Sequence, residues 1–319
     1  MSSASTTTKR SLTPHPTLSF DPTAPADAAA HVLVGRKQAL LAASSLLPPE
    51  LDSALWKALV ESVKPGDAGD TASTLYTRGG GTGRITAVVL PEPNSRHNSP
   101  VRAHAISALA GKPAASGAAE YGAAAVTLLL DDVSHASAAA CALARGFPLY
   151  TSKHGRGAEA LQKDPGQVWV TFAQMVNGGA SAGAFGPLSE DEAPTVHSLA
   201  ARAAAGVRLA ARLVDTPCEE LGTLAFVAEA QETASMLRDL GASVDLEVIS
   251  GEALRDGGFG GIWNVGRAAT EPPALVILSY TPSTPSNKPP TALVGKGIVY
   301  DTGGLGLKVE KPYTSLTPP

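Results

Sequence analysis

The segment Ala292 to Lys308, ALVGKGIVYDTGGLGLK, holds the residues whose types and spacing most invite chemistry. Lys296 interrupts an apolar run between Gly295 and Gly297, and Asp301 follows ahead of Gly303 and Gly304. A charge in an apolar strand needs a partner or a route to water. One reading is an edge-strand lysine that snorkels to solvent, with Asp301 and the paired glycines forming the turn that ends the strand; periodicity alone favours it. The other is a metal-ligating pair. An unbroken strand aims positions 296 and 301 at opposite faces, so both can address one metal only where glycines let the strand bend. A lysine ligates only as the neutral amine, so its ordinary pKa of about 10.4 must be pulled well down by burial and by the metal's charge. A buried place between Leu293 and Ile298 suits that requirement.

Three other patterns carry less. Gly179-Ala180-Ser181-Ala182-Gly183 fits the G-x-S-x-G of serine hydrolases, but Gly186-Pro187 follows where that motif needs a helix, so a loop is expected, with a serine hydrolase using Ser181 as the competing reading that a fluorophosphonate label would reveal. Gly261–Arg267 (GIWNVGR) approaches a phosphate-binding loop, yet Arg267 stands in place of its lysine and Ala268 in place of its hydroxyl residue. The histidines His15, His31, His97, His104, His135, His154 and His197 form no H-E-x-x-H pair, which excludes the zincin arrangement.

The elements that must position these residues are read from periodicity. Residues 1–28 are rich in Ser, Thr and Pro and predict a disordered tail. From 29 to 185, apolar runs (Ile85–Leu90, Ala124–Leu130, Val168–Phe172) alternate with helical stretches near Val101–Ala110 and His135–Ala144, predicting an N-terminal α/β domain. The Gly-rich and acidic stretch Asn177–Ala193 predicts a linker, and a second domain is expected over 186–319. That domain opens with a long helix to about Val214, broken at Thr216-Pro217. A second helix is capped by Thr223, lined on one face by Leu224, Val227, Ala230, Ala234 and Leu237, and stopped at Gly241. Val244–Ile249, Leu275–Tyr280 and Leu293–Tyr300 predict strands. The fold class is α/β in two domains.

Composition bounds the partners. The 319 residues are 44% hydrophobic and 17% charged, with a net charge of −4, which supplies no field for nucleic acid. Two cysteines, Cys141 and Cys218, in unrelated segments argue against a disulfide framework or a Cys-based zinc site. No apolar run has the length of a membrane span, and the N-terminus has no signal-peptide core, so a cytoplasmic protein is expected.

The Ala292–Lys308 segment resembles the signature of the leucyl aminopeptidase family of metallopeptidases, in which VGKG, an aspartate, paired glycines and a lysine recur at this spacing. Asp215-Thr216-Pro217-Cys218-Glu219-Glu220-Leu221 is similar to that family's DTP-x-NE-type junction, and Gly258–Val265 with Pro272-Pro273 to the stretch before the site. Ser95–Pro100 and Cys141–Leu149 share the flavour of the family's probable aminopeptidase-like branch, so the resemblance covers most of residues 85–308. It implies a second domain that is the first half of a metalloaminopeptidase catalytic domain, removing N-terminal residues from peptides. It also implies that Lys296 is a ligand of one metal, Asp301 bridges two divalent ions (zinc or manganese, with magnesium also compatible), and Lys308 is the catalytic lysine. A homohexamer is the family's assembly. The family's serine two residues before the catalytic lysine is Gly306 here, and Val309–Pro319 contains no NTDAEGR-type segment. The expectation is therefore a C-terminally truncated chain that is inactive alone, or a non-catalytic binding or assembly subunit.

Overall fold

A computed structural model describes residues 16–23, 28–92, 99–150, 166–176, 183–284 and 289–299. The chain divides into two compact units, Met1–Asp215 and Thr216–Pro319.

In the first unit, strands that read as nearly continuous apolar runs need helices on both faces, because every side chain along them must be buried. The central strands are β2 (Ala30–Arg36), β4 (Gly81–Leu90), β5 (Ala123–Leu130) and β6 (Gln167–Met175). They run parallel in the order β6-β5-β2-β4, with β3 (Asp70–Arg78) antiparallel beyond β4 and β1 (Thr17–Phe20) parallel beyond β6. A short β7 (Phe185–Pro187) also pairs with β6, completing seven strands.

Alternation sorts the side chains into two cores. Val32, Val34, Val88, Val126, Leu128, Val170 and Phe172 face one core, built with α3 (Ala103–Leu109), α4 (Gly111–Tyr121), α5 (Ala136–Arg145) and α6 (Ala193–Asp215). Leu33, Ile85, Val89 and Leu129 face the other, against α1 (Lys37–Leu41) and α2 (Ser53–Ser62), where Trp56 Nε1 donates to Leu40 O at 2.8 Å. Many partners on the α3–α6 side are alanines, so these helices approach the sheet closely; a Cβ on Gly117 of α4 would lie 2.5 Å from Ala30 Cβ.

Two expectations change here. The tail expected over 1–28 is not disordered throughout: Thr17–Phe20 extends the sheet, and the Phe20 ring stacks on Phe172 at 6.3 Å. Backbone pairing to β6 and one aromatic contact give this short polar segment what its composition does not. The division of the chain falls at Asp215–Thr216, not at 185–186. Helix α6 buries Ala193, His197, Ala200 and Ala204, three of these being alanines of the first core, so it belongs to the first unit.

The second unit contains α7 (Thr223–Asp239), packed on an antiparallel pair of β8 (Ser243–Ser250) and β9 (Ala274–Thr281), with α8 (Glu252–Asp256) and α9 (Gly260–Gly266) between the strands. Gly241, at φ +84°, ends α7 as expected. The cap of α7 differs from expectation. Gly222 is the N-cap, Thr223 makes no capping bond, and Glu271 Oε2 accepts from Leu224 N at 2.9 Å. Of the apolar face expected on α7, Ala234 alone is fully buried. The strand expected over Leu293–Tyr300 does not form within its described residues, 293–299. No described strand pairs with it, and Leu293 and Val294 are almost fully exposed.

Candidate functional site

The described part of the candidate segment meets α7 at Gly297. A Cβ on Gly297 would lie 3.2 Å from Phe226 Cε1, so glycine permits a close approach there. Ile298 N donates to Lys296 O at 3.1 Å, a three-residue turn centred on Gly297. The backbone therefore bends at the glycine beside Lys296. The Lys296 side chain is exposed, and the burial expected for it between Leu293 and Ile298 is not found, since both flanking residues are themselves exposed. Asp301 and Lys308 lie outside the described residues, so the structure does not bring the three together or hold them apart.

Of the implied ligands only Lys296 lies among the described residues. Among the described residues no group of three or more His, Cys, Asp or Glu is placed to hold an ion. An exposed amine is no substitute for a closed set of ligands, because a divalent ion needs several donors to replace its water.

The remaining motifs resolve into structure. Gly260–Gly266 is helical, which removes the loop that would wrap a phosphate, and Ser181 lies outside the described residues. His31 Nε2 donates to Ala28 O at 2.7 Å, His104 Nε2 to Asp67 O at 3.3 Å and His197 Nδ1 to Ala193 O at 2.7 Å. Burial pushes the pKa of His31 and of His197 down, because each would lose water on charging. His15, His97 and His154 lie outside the described residues.

At the Asp215–Leu221 junction, Asp215 ends α6 and Pro217 O accepts from Glu220 N at 3.0 Å and from Leu221 N at 2.9 Å, a turn that leads into α7. Glu271 was not singled out as a residue of this region. Its partner Leu224 is 47 positions away, so no local pattern signals the contact.

Residues 208–316 match the catalytic domain of the cytosol aminopeptidase family, and residues 30–156 match the M17 aminopeptidase N-terminal domain 2. The probable aminopeptidase NPEPL1 of Mus musculus is 37% identical over 262 residues, covering 82% of this chain and 44% of that protein. Leucine aminopeptidase 1 of Caenorhabditis elegans is 46% identical over 104 residues, 33% of this chain and 20% of that one. The leucyl aminopeptidase of Trypanosoma brucei, solved in complex with bestatin, superposes with a TM-score of 0.64 at 31% identity, over 86% of this chain and 48% of that one. The apo leucyl aminopeptidase of Trypanosoma cruzi gives 0.64 at 29% identity, over 91% and 53%. The chain thus spans about half the length of the relatives it matches.

Proposed function

We propose that this chain, in which residues 30–156 match the family's N-terminal domain 2 and residues 208–316 its catalytic domain, derives from a metal-dependent aminopeptidase whose complete site removes N-terminal residues from peptides. The observation that carries the reading is the pair of family matches, 30–156 and 208–316, in chain order and mostly within the two respective units.

Within that site Lys296 is assigned as a ligand of one metal, Asp301 as the carboxylate between two divalent ions and Lys308 as the catalytic lysine. The ions, zinc or manganese, would supply a nucleophile at neutral pH and polarise the scissile carbonyl. An ammonium at position 308 would stabilise charge developing on the carbonyl oxygen. The turn at Gly297 supports the assignment because it bends the backbone between the two proposed ligands. The 319 residues by themselves are proposed to be inactive. One amine and one carboxylate cannot hold two mutually repelling divalent ions side by side.

The test is hydrolysis of leucyl-p-nitroanilide by the 319-residue chain with added zinc or manganese, against a Lys296→Ala, Asp301→Ala control. Equal rates are expected. Metal-dependent turnover that disappears in the control would overturn the inactivity and support the aminopeptidase assignment directly.

A second reading, a non-catalytic binding or assembly subunit, is favoured by the apolar side chains of the second unit. Val265, Leu293 and Val294 are close to fully exposed, and Ile277, Leu278 and Tyr280 of β9 are partly exposed among the described residues. Light scattering decides between them: a hexamer or other closed homo-oligomer is proposed, and a monomer with no affinity for a complete relative would remove the assembly reading. Among the described residues no helix is long and apolar enough to cross a membrane, and a cytoplasmic location is proposed.

A further inference from the structure

The two outer strands of the first unit's sheet differ. At one edge β1 is four residues long, whereas at the other β3 runs nine residues, with β4 on one side of it and no described strand on the other. Sheets protect such an edge with lysine, proline, a bulge or a covering element, because its unpaired backbone groups are a template for another strand. The sequence of β3, DTASTLYTR, contains neither lysine nor proline. Its register against β4 runs without a bulge from Asp70↔Val89 to Arg78↔Gly81.

Gly79 and Gly80 alone join β3 to β4, so Arg78 and Gly81 form a hydrogen-bonded pair and the even positions of β3 bond to β4. The N–H and C=O groups of Thr71, Ser73, Leu75 and Thr77 therefore point away from the sheet. Local side chains meet two of them: Thr71 N donates to Asp70 Oδ1 at 2.7 Å, and Leu75 O accepts from Thr74 Oγ1 at 3.4 Å. The side chains of the same four residues are exposed, Leu75 at 55%, while Tyr76 on the opposite face is buried in the second core.

We propose that β3 pairs with β3 of a second copy of this chain, antiparallel about a twofold axis at Thr74, so that one sheet runs through both first units. The strand is complementary to itself in this register. Asp70 stands opposite Arg78 of the second copy and Arg78 opposite its Asp70, which places an ion pair at each end, and positions 70 and 78 share a face. Between them Thr71 meets Thr77, Ser73 meets Leu75, and the two exposed Leu75 side chains lie diagonally across the axis. Ala72 meets Tyr76, which extends the second core past the edge. A slip of two residues keeps the backbone bonds but separates both charge pairs, so the charges fix the register. The contact uses the same patch on both copies and closes at two. All of these residues lie in the first unit, so the inference is independent of the proposed aminopeptidase activity and of association through the second unit.

Sedimentation equilibrium of the full 319-residue chain tests it, and concentration-dependent association is expected. Asp70→Arg should weaken that association about tenfold or more, since it exchanges two attractive cross-strand pairs for two repulsive ones. Asp70→Arg combined with Arg78→Asp should restore it. Cysteine placement keeps the proposal testable if these variants do not fold. With Cys141→Ser and Cys218→Ser as background, Thr74→Cys should give a disulfide-linked dimer on mild oxidation, because opposed residues of a non-hydrogen-bonded pair lie about 4.5 Å apart between Cα atoms, within disulfide reach. Thr71→Cys, whose opposite residue is Thr77, should not. A chain that stays monomeric, association that Asp70→Arg leaves unchanged, or equal cross-linking at positions 71 and 74 would each overturn the proposal.

Discussion

The Glu271 carboxylate caps helix α7 through Leu224 N at 2.9 Å, although Leu224 has a threonine directly before it and Glu271 lies beyond α9. A carboxylate there satisfies a free N–H and also opposes the positive end of the helix dipole. Glu271→Ala should therefore lower stability by about 1 kcal/mol, whereas Thr223→Ala should stay within about 0.5 kcal/mol. Urea unfolding of both variants checks this, and a larger loss for Thr223→Ala would reverse the assignment.

Phe20 ties β1 to the sheet through its stacking on Phe172. Replacing it by alanine should cost about 1–2 kcal/mol, since the ring is partly buried and its apolar area returns to water. Removing residues 1–22 should cost at least as much, because the pairing of Thr17–Phe20 with Gln167–Val170 is lost too. A thermal midpoint unchanged by that deletion would show that β1 contributes nothing.

His197 is buried, with Nδ1 bonded to Ala193 O, Nε2 without a partner among the described residues and Phe172 edge-on at 4.9 Å. Its folded pKa is lowered, chiefly by desolvation, although Ala193 and the nearby Asp21 act the other way. Below the unfolded value of about 6.5 the unfolded chain binds the proton first, so this contribution is complete above about pH 6.5 and is lost as pH falls toward the lowered folded pKa. His197→Phe should flatten part of the acid-side decline, with His31, lowered for the same reason, keeping the remainder. Identical slopes for both proteins between pH 7 and 5, read from unfolding free energies, would contradict the prediction.

Gly117 lies where α4 touches β2 and β5, and a methyl group there would sit 2.5 Å from Ala30 Cβ and 3.4 Å from Ala124 Cβ. Helix propensity favours alanine over glycine by up to about 1 kcal/mol. Overpacking costs about 1–3 kcal/mol and should win, so Gly117→Ala is expected to be destabilising. A gain in stability would mean that α4 can move off the sheet at little cost.

The sequence by itself determined those elements whose partners are implied by their own pattern. Ile85–Leu90, Ala124–Leu130 and Val168–Phe172 can be buried on both faces only as parallel strands under helices, and β8 and β9 are equally plain from β-branched runs between turn residues. The VGKG…D…GG…K spacing and the Asp215–Leu221 junction carried the family resemblance, and both fall within the matched residues 208–316. Only the tertiary structure decided what depends on distant neighbours. Thr17–Phe20 becomes a strand because β6 offers it an edge, and α6 belongs to the first unit because its alanines meet that core. Glu271 replaces Thr223 as a cap across 47 positions. The apolar run from Leu293 to Ile298 has a strand's composition but no described strand to pair with. Hydrogen bonds between strands are made with a neighbour, so a strand's pattern cannot guarantee the partner that makes it one.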